Sequence, residues 1–499
     1  MISYIFGLVI LYVIVFVIIL PYLKLRHYKK QGAVSIFFPG LGGIGKYFAN
    51  AERKGDYYYF QKRIFNENPN ARLLAFNLGG DINLSLLDTK LIKAFYSNQN
   101  LYVKQRGILG FVNDLLGNGL ITSDGAIHKR HRKIISNVFH FELLRSFIPS
   151  IVRSTKNRFD IIEKEGLKNV KVMQEFQNIT GEVVGEIFFG EDLNKYTFDG
   201  KPLTIALADL LADTTKAALT LSNFLLGPDI LRHSPFPGHK RVLNNINRFR
   251  DICLKIVTEK KEQYLKNKGK PKERKDMLDH LFESVEACPE EDTLTEKDIV
   301  DEFITFFLAG MDTTGHLVAM ATYFLTQHPE HLPALRKEVD NIYKDGENLT
   351  PEILQKMEFM TAVLKESLRH ATPASNLFPR VATQDHQLLD VTIKKGTVMN
   401  VEFMALNFSE QNFENPHAFD PYRFIKKPTL EDPFAFIPFS AGSRNCIGQH
   451  LAMIEGRIIL SEFLKRYDFS LRDGYEMKMT IKFLYEPKHE LQMNLTRRV

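Results

Sequence analysis

Ten residues near the C-terminus constrain this chain more than any other stretch. Phe439–Gly448 reads F-S-A-G-S-R-N-C-I-G. Residues 433–438 before it are apolar and aromatic, with two prolines, and Gln449–Leu464 after it has helical periodicity. The spacing predicts that Cys446 sits where a glycine-bearing loop turns into a helix. A helix N-terminus favours anions, so a thiol there is expected to have a depressed pKa, and the thiolate is the form that ligates metal. Gly442 and Gly448 would let the backbone approach a flat ligand and adopt positive φ. Phe439 is placed to shield the sulfur from water. Arg444 offers a fork of donors to a carboxylate. A buried structural cysteine would explain Cys446 alone, but not the pattern around it.

That pattern, F-x-x-G-x-R-x-C-x-G, resembles the haem-binding loop of the cytochrome P450 family, the haem-thiolate monooxygenases. Ala452 and Glu455 in the following helix fit it too. The resemblance implies that Cys446 is the axial ligand of the iron in a haem b. It also makes Phe439, Gly442, Arg444 and Gly448 part of the cofactor's cradle. A thiolate in that position pushes electron density onto iron and favours O–O cleavage.

Other motifs follow the family's order. Asp298–Gln327 is predicted as one long helix, opened by a capping box from Thr295 to Asp298 and closed by Pro329. In its middle stands A-G-M-D-T-T, Ala309–Thr314. Glycine inside a helix costs about 1 kcal/mol against alanine, and close approach of a planar ligand at Gly310 would offset that. The segment resembles the family's oxygen-activation motif. It implies Ala309 and Gly310 beside the cofactor, with Asp312 and Thr313 as the proton-delivering pair. Glu366 and Arg369 form E-x-x-R on a helix over Thr361–His370. The resemblance adds Arg423, from N-P-H-A-F-D-P-Y-R-F, as the third member of a structural triad. His128 and Arg132 are four apart and share a helical face. The family pattern there is Trp-x-x-x-Arg, both donating to a haem propionate. Arg132 fits the arginine, and His128 stands in the tryptophan's place. Arg380 matches a further propionate-binding arginine. Phe111, Leu210, Phe303, Phe378 and Phe483 are candidate substrate contacts.

Composition narrows the setting. Only three cysteines occur in 499 residues, Cys253, Cys288 and Cys446. That is too few for a disulfide framework and points to a reducing compartment. A net charge of +6 is modest for this length; it does not indicate a nucleic-acid binder and suits an anionic partner or membrane surface. Lys129, Arg130 and Lys133 read equally as a solvated face or as a docking patch for an acidic redox partner.

Ile2–Leu20 is uncharged and apolar, about the length that spans a bilayer. Pro21 ends it, and Lys24, Arg26, Lys29 and Lys30 follow. No basic residues precede the run and no small-residue cleavage site follows. The expectation is an uncleaved anchor with the body in the cytosol, and the resemblance implies the endoplasmic reticulum. Gly40–Gly45, G-L-G-G-I-G, matches a dinucleotide fingerprint literally, but Pro39 and the anchor upstream spoil its context.

The expected organisation is an anchor over 2–20, a basic and glycine-containing hinge over 21–45, and one catalytic domain over 46–499. That domain is expected to be mainly α with a small β-rich region, in the cytochrome P450 fold. The implied reaction inserts one oxygen atom from O2 into a small lipophilic substrate. Electrons would come from NADPH through a separate flavoprotein reductase, with or without cytochrome b5, since the chain has no credible nicotinamide or flavin site. A peroxide-rearranging isomerase or dehydratase and a non-catalytic haem sensor are the other roles such a loop can serve. The Asp312–Thr313 pair favours the monooxygenase.

Overall fold

The computed structural model describes residues 11, 14–39, 49–105, 110–218, 220–233, 237–268, 275–289, 293–344, 348–375 and 379–498. Five helices carry the site: α1 (Gly125–Ser136), α2 (Val172–Phe189), α3 (Glu296–Gln327), α4 (Glu358–His370) and α5 (Gln449–Arg466). The 32-residue α3 runs through the main apolar core. Its start is fixed chemically. The Asp298 N–H donates to Thr295 Oγ1 at 3.2 Å, and the Thr295 N–H donates to Asp298 Oδ2 at 2.9 Å, satisfying two of the donors a helix leaves open. Among the described residues α3 is also the one helix long and apolar enough to cross a membrane, but most of it is buried in the protein. Its apolarity reflects its place in the core.

The close packing of α3 on α2 explains Gly310. A Cβ built there would lie 2.6 Å from Val184 Cγ2, so what the glycine accommodates is a neighbouring helix. Gly310 also lines the cavity between α3 and the loop before α5. Gly310→Ala is expected to lower the thermal midpoint, because overpacking typically costs about 1–3 kcal/mol against a helix-propensity gain of about 1 kcal/mol. Adding Val184→Ala should restore most of the loss. A double variant that melts no higher than the single one would show that the clash is not the cause.

The β-rich part is a six-stranded sheet of β1 (Val34–Ile36), β2 (Leu73–Leu78), β3 (Asp81–Leu86), β4 (Tyr102–Lys104), β5 (Arg380–Ala382) and β6 (Val398–Val401). Its spatial order is β1-β2-β3-β6-β5-β4. The β2–β3 hairpin is antiparallel, while β1–β2 and β3–β6 are parallel. A separate hairpin pairs β7 (Met479–Ile481) with β8 (Tyr485–Pro487).

The folded body begins earlier than 46. Leu20–Lys29 is a helix that packs on the sheet region. The Tyr28 hydroxyl shares a 2.6 Å hydrogen bond with Thr397 Oγ1 and accepts from the Lys394 N–H at 3.1 Å. With β1 in the sheet, the described part of 21–45 is structure rather than hinge, because its aromatic and β-branched side chains find partners there. Gly40–Gly45 and most of the expected anchor lie outside the described residues. The described remainder of the anchor and the helix after it present Leu11, Ile14, Phe16, Ile19, Tyr22 and Leu23 outward.

Candidate functional site

A cavity of about 340 Å³ opens between α3 and the loop before α5, within the size range of small-molecule sites. Cys446, Phe439, Arg444, Gly448, His128, Arg132, Arg380, Ala309, Gly310, Asp312, Thr313 and Phe483 all line it. Residues more than 300 positions apart in sequence thus meet on one surface.

The cysteine loop is held by its backbone and by α1. The Cys446 N–H donates to Phe439 O at 2.8 Å. Arg132 spans the neighbouring residue, with Nη1 donating to Asn445 O and Nη2 to Asn445 Oδ1, each at 2.8 Å. Gly442 has φ of +68°, and a Cβ there would meet Gln99 Nε2 at 2.8 Å and Tyr96 O at 3.1 Å. Its glycine lets the loop turn against its own protein. It does not line the cavity, which corrects its expected approach to a flat ligand. Gly448 has ordinary negative φ and is the N-cap of α5.

The Cys446 sulfur is reachable from the cavity yet lies deep in the protein. Burial pushes its thiol above the ordinary value, while the Gly448 N–H and the Arg132 guanidinium pull the other way. The expected depression at a helix N-terminus is therefore absent: desolvation outweighs the dipole. A metal ion would supply the missing positive charge.

One wall is cationic. Lys104 and Arg380 are direct cross-strand partners in the antiparallel β4–β5 pair, and Arg132, Arg444 and His128 join them. Like charges so placed are unfavourable without an anion. Burial pushes Lys104 down to about 7, with Arg380 and Arg444 adding to it. Burial and the same cations push His128 down to about 3, so its ring is neutral and would contribute a hydrogen bond rather than a charge. Asp124 offsets part of the field: Arg444 Nη2 donates to its Oδ1 at 3.1 Å. The second Arg444 donor goes to Ser123 O at 2.6 Å.

The opposite side carries the acid and hydroxyl groups. Asp312 is buried, and its carboxyl is pushed up to about 7 by burial first and by Glu486 second. Thr313 Oγ1 donates to Ala309 O at 2.7 Å. The rest of the lining is mostly apolar, with Phe139, Phe188, Phe306 and Phe403 beside Phe483.

Three expected substrate contacts are elsewhere. Phe111 is fully buried and stacks on His239 at 5.5 Å. Leu210 is buried in the core. Phe303 precedes the first α3 residue that lines the cavity, Thr305, and packs on Phe189 with ring centroids 4.1 Å apart. An apolar residue on a helix fills the core by default, and these three do so. Phe378 lies outside the described residues. Glu366, Arg369 and Arg423 come together away from the cavity: Arg369 makes two bonds to the Glu366 carboxylate, at 2.7 and 2.9 Å, and Arg423 Nε a third at 3.2 Å.

Sequence reasoning missed Lys104 altogether. No motif surrounds it, and only the pairing of β4 with β5 sets it opposite Arg380. It also gave no role to the acid of Glu455. That residue is buried on the cavity wall, with Oε1 unpartnered. Burial pushes its carboxyl up to about 8, against the pull of the Thr314 hydroxyl beside it.

The residues fit the group that the loop pattern implies. Among the described residues no cluster of three or more His, Cys, Asp or Glu could hold a metal ion. A single thiol suits a metal that arrives with its other donors already in place, as in a porphyrin. Cys446 would bind the iron, the cationic wall would hold the carboxylates, and the aromatic lining would cover the ring.

Comparison with known proteins agrees. The family model described as "Cytochrome P450" matches residues 68–494. A Blattella germanica protein named cytochrome P450 4c21 is 30% identical over 444 residues, covering 84% of this chain and 85% of that one. An Arabidopsis thaliana protein named cytochrome P450 734A1 is 28% identical, over 82% of this chain and 78% of its own length. Another from that plant, named cytokinin hydroxylase, is 27% identical over 85% and 81%. With a family model over most of its length and relatives aligned over more than four-fifths of it, this chain belongs to the cytochrome P450 family and is a haem-thiolate monooxygenase.

Proposed function

We propose that this monooxygenase hydroxylates a small lipophilic substrate with O2, taking its two electrons from NADPH through a separate flavoprotein reductase. The balance is one substrate, one O2, one NADPH and one proton giving one alcohol, one water and NADP⁺. When bound, the haem supplies the redox and oxygen chemistry. The observation that carries the reading is the presence of Asp312 and Thr313 on the same cavity surface as the Cys446 sulfur.

Each residue has a defined task. Cys446 would hold the iron through its sulfur. Arg132, Arg380, Arg444, His128 and Lys104 would orient the cofactor through its carboxylates. The Phe139, Phe188, Phe306, Phe403 and Phe483 side chains keep water from the apolar surface and leave space for a lipophilic substrate. The Asp312 carboxyl holds a proton near neutral pH, where a general acid is most effective. The Thr313 hydroxyl, beside it in the chain, passes that proton into the cavity. An endoplasmic-reticulum membrane attachment is part of the same reading. It rests on the apolar Ile2–Leu20, the lysines and arginine that follow, and the outward-facing side chains of Leu11, Ile14, Phe16, Ile19, Tyr22 and Leu23.

Thr313→Ala tests this reading. The variant should keep its cofactor and thiolate spectrum, consume NADPH, and convert less of it to product, with peroxide rising to balance. A several-fold fall in product per NADPH is expected. Thr314→Ala should change the ratio little, because one helical step turns Thr314 about 100° away from Thr313. Unchanged coupling in Thr313→Ala with uncoupling in Thr314→Ala would move the relay to Thr314. Unchanged coupling in both would remove O2 activation through α3.

A further inference from the structure

Asp312 is served from a second helix. Among the described residues, its carboxyl has one hydrogen-bond partner, the amide of Gln177 on α2, with Nε2 donating to Oδ1 at 3.4 Å. Contacts around the pair hold the two helices together at this point. A Cβ on Gly315 would lie 2.8 Å from Gln177 N and Cγ, so only glycine lets α2 come this near. One turn after Gln177, the Thr180 hydroxyl donates to Met311 O at 2.7 Å. Hydroxyls therefore occupy the carbonyls of residues 309 and 311, on either side of the glycine before Asp312.

The charges facing Asp312 are few. From the β7–β8 hairpin comes Glu486, itself bonded to Lys482 Nζ at 2.9 Å. On α3, one turn along, His316 is buried and its ring is pushed down to about 4 by burial, so it is neutral. From α2 comes an amide and no charge. An opposite charge at that position would favour the carboxylate and release the proton.

We propose that Gln177 is a positioning residue for the reaction, whose neutral amide holds the Asp312 carboxyl at the cavity wall and leaves it able to carry a proton. This rests on the reading of Asp312 as proton donor. Burial of Asp312 next to Glu486 raises its proton affinity, and the uncharged amide, a single long donor to Oδ1, opposes this far less than a cation would. Gln177 thus holds the donor in place without itself touching the reacting atoms, while burial and Glu486 keep its carboxyl raised.

The test uses the full-length holoenzyme with its reductase. Gln177→Lys and Gln177→Glu are made in the parent and in Asp312→Asn. Two quantities are followed against pH: the alkaline midpoint of turnover, and the protonated-carboxyl infrared band of Asp312 in the resting protein. Gln177→Lys should move both midpoints down by about one pH unit, a tenfold change in proton affinity. Gln177→Glu, nearly isosteric, should move them up. Neither should shift the turnover midpoint in Asp312→Asn, and the thiolate spectrum should stay unchanged throughout. Equal turnover shifts with and without Asp312, or a carboxyl band that does not move in either variant, would overturn the proposal while leaving the donor reading intact. An Asp312→Asn enzyme that turns over like its parent would instead sink the donor reading, even with the band still moving.

Discussion

Cys446→Ser is expected to lose the red-shifted ferrous–CO Soret band of a thiolate haem and to reduce substrate turnover to background. Serine keeps the shape of the loop, because the loop is held without the sulfur. The Cys446 N–H bond to Phe439 O and the two Arg132 bonds to Asn445 involve no side-chain atom of residue 446. What serine cannot supply is a polarisable anion for iron. A hydroxyl loses its proton far less readily than a thiol, and burial already disfavours ionisation at this position. Cys253 and Cys288 provide the controls. Cys253 is fully buried, its thiol pushed well up by that burial, and it does not line the cavity. Serine at either position should leave the band in place. Persistence of the band in Cys446→Ser, or its loss in Cys288→Ser, would refute the assignment of the ligand.

Much of this site was legible in the sequence because its geometry is local. In Phe439–Gly448 the turn, the cysteine and the helix start lie within ten residues, so the order of residue types is itself a description of the shape. The same holds for Thr295–Asp298, whose capping box needs only one turn of chain. What depended on distant partners was legible only in part. Gly310 read as room for a ligand, but the atom that would collide with its side chain belongs to Val184 on another helix. Phe111, Leu210 and Phe303 were chosen for apolarity, and apolarity does not distinguish a cavity wall from a packed core. Lys104 became visible only through strand pairing, and Gln177 only through the approach of α2 to Gly315. The direction of the Cys446 shift was misread for a related reason. The helix start is a local feature that favours an anion, but the depth of burial that overrides it is a property of the whole fold.

Arg369→Leu is expected to destabilise the protein more than any surface substitution, by roughly 3–5 kcal/mol, the usual result of stranding one partner of a buried ion pair. Both Glu366 and Arg369 are fully buried. The guanidinium does more than face a carboxylate. Its Nη1 donates to Asn407 O and Pro416 O at 2.6 Å, and Nη2 donates to Ala418 O at 3.0 Å. The Asp420 N–H in turn donates to Glu366 Oε1 at 2.9 Å. The pair on α4 therefore fixes the irregular segment 407–423 that leads into the cysteine loop. Removing the arginine strips two bonds from a buried carboxylate, which keeps the Asp420 N–H and Arg423 Nε, and takes the guanidinium donors from three carbonyls. Arg369→Lys should rescue only partly, since one ammonium cannot reproduce the fork. Cofactor content on purification should fall along with stability. The acid limb gives an independent check. Burial lifts the Glu366 carboxyl, but the bonds from Arg369 and His370 more than reverse this and hold it at about 2. A carboxyl depressed in the folded state stabilises above its unfolded value of about 4.3, and that contribution is lost as pH falls toward 2. The parent should therefore lose stability through this window, and Arg369→Leu should lose less of it there, having already lost the pairing. A variant with the parent's denaturation midpoint and acid profile would show that the triad does not hold this segment.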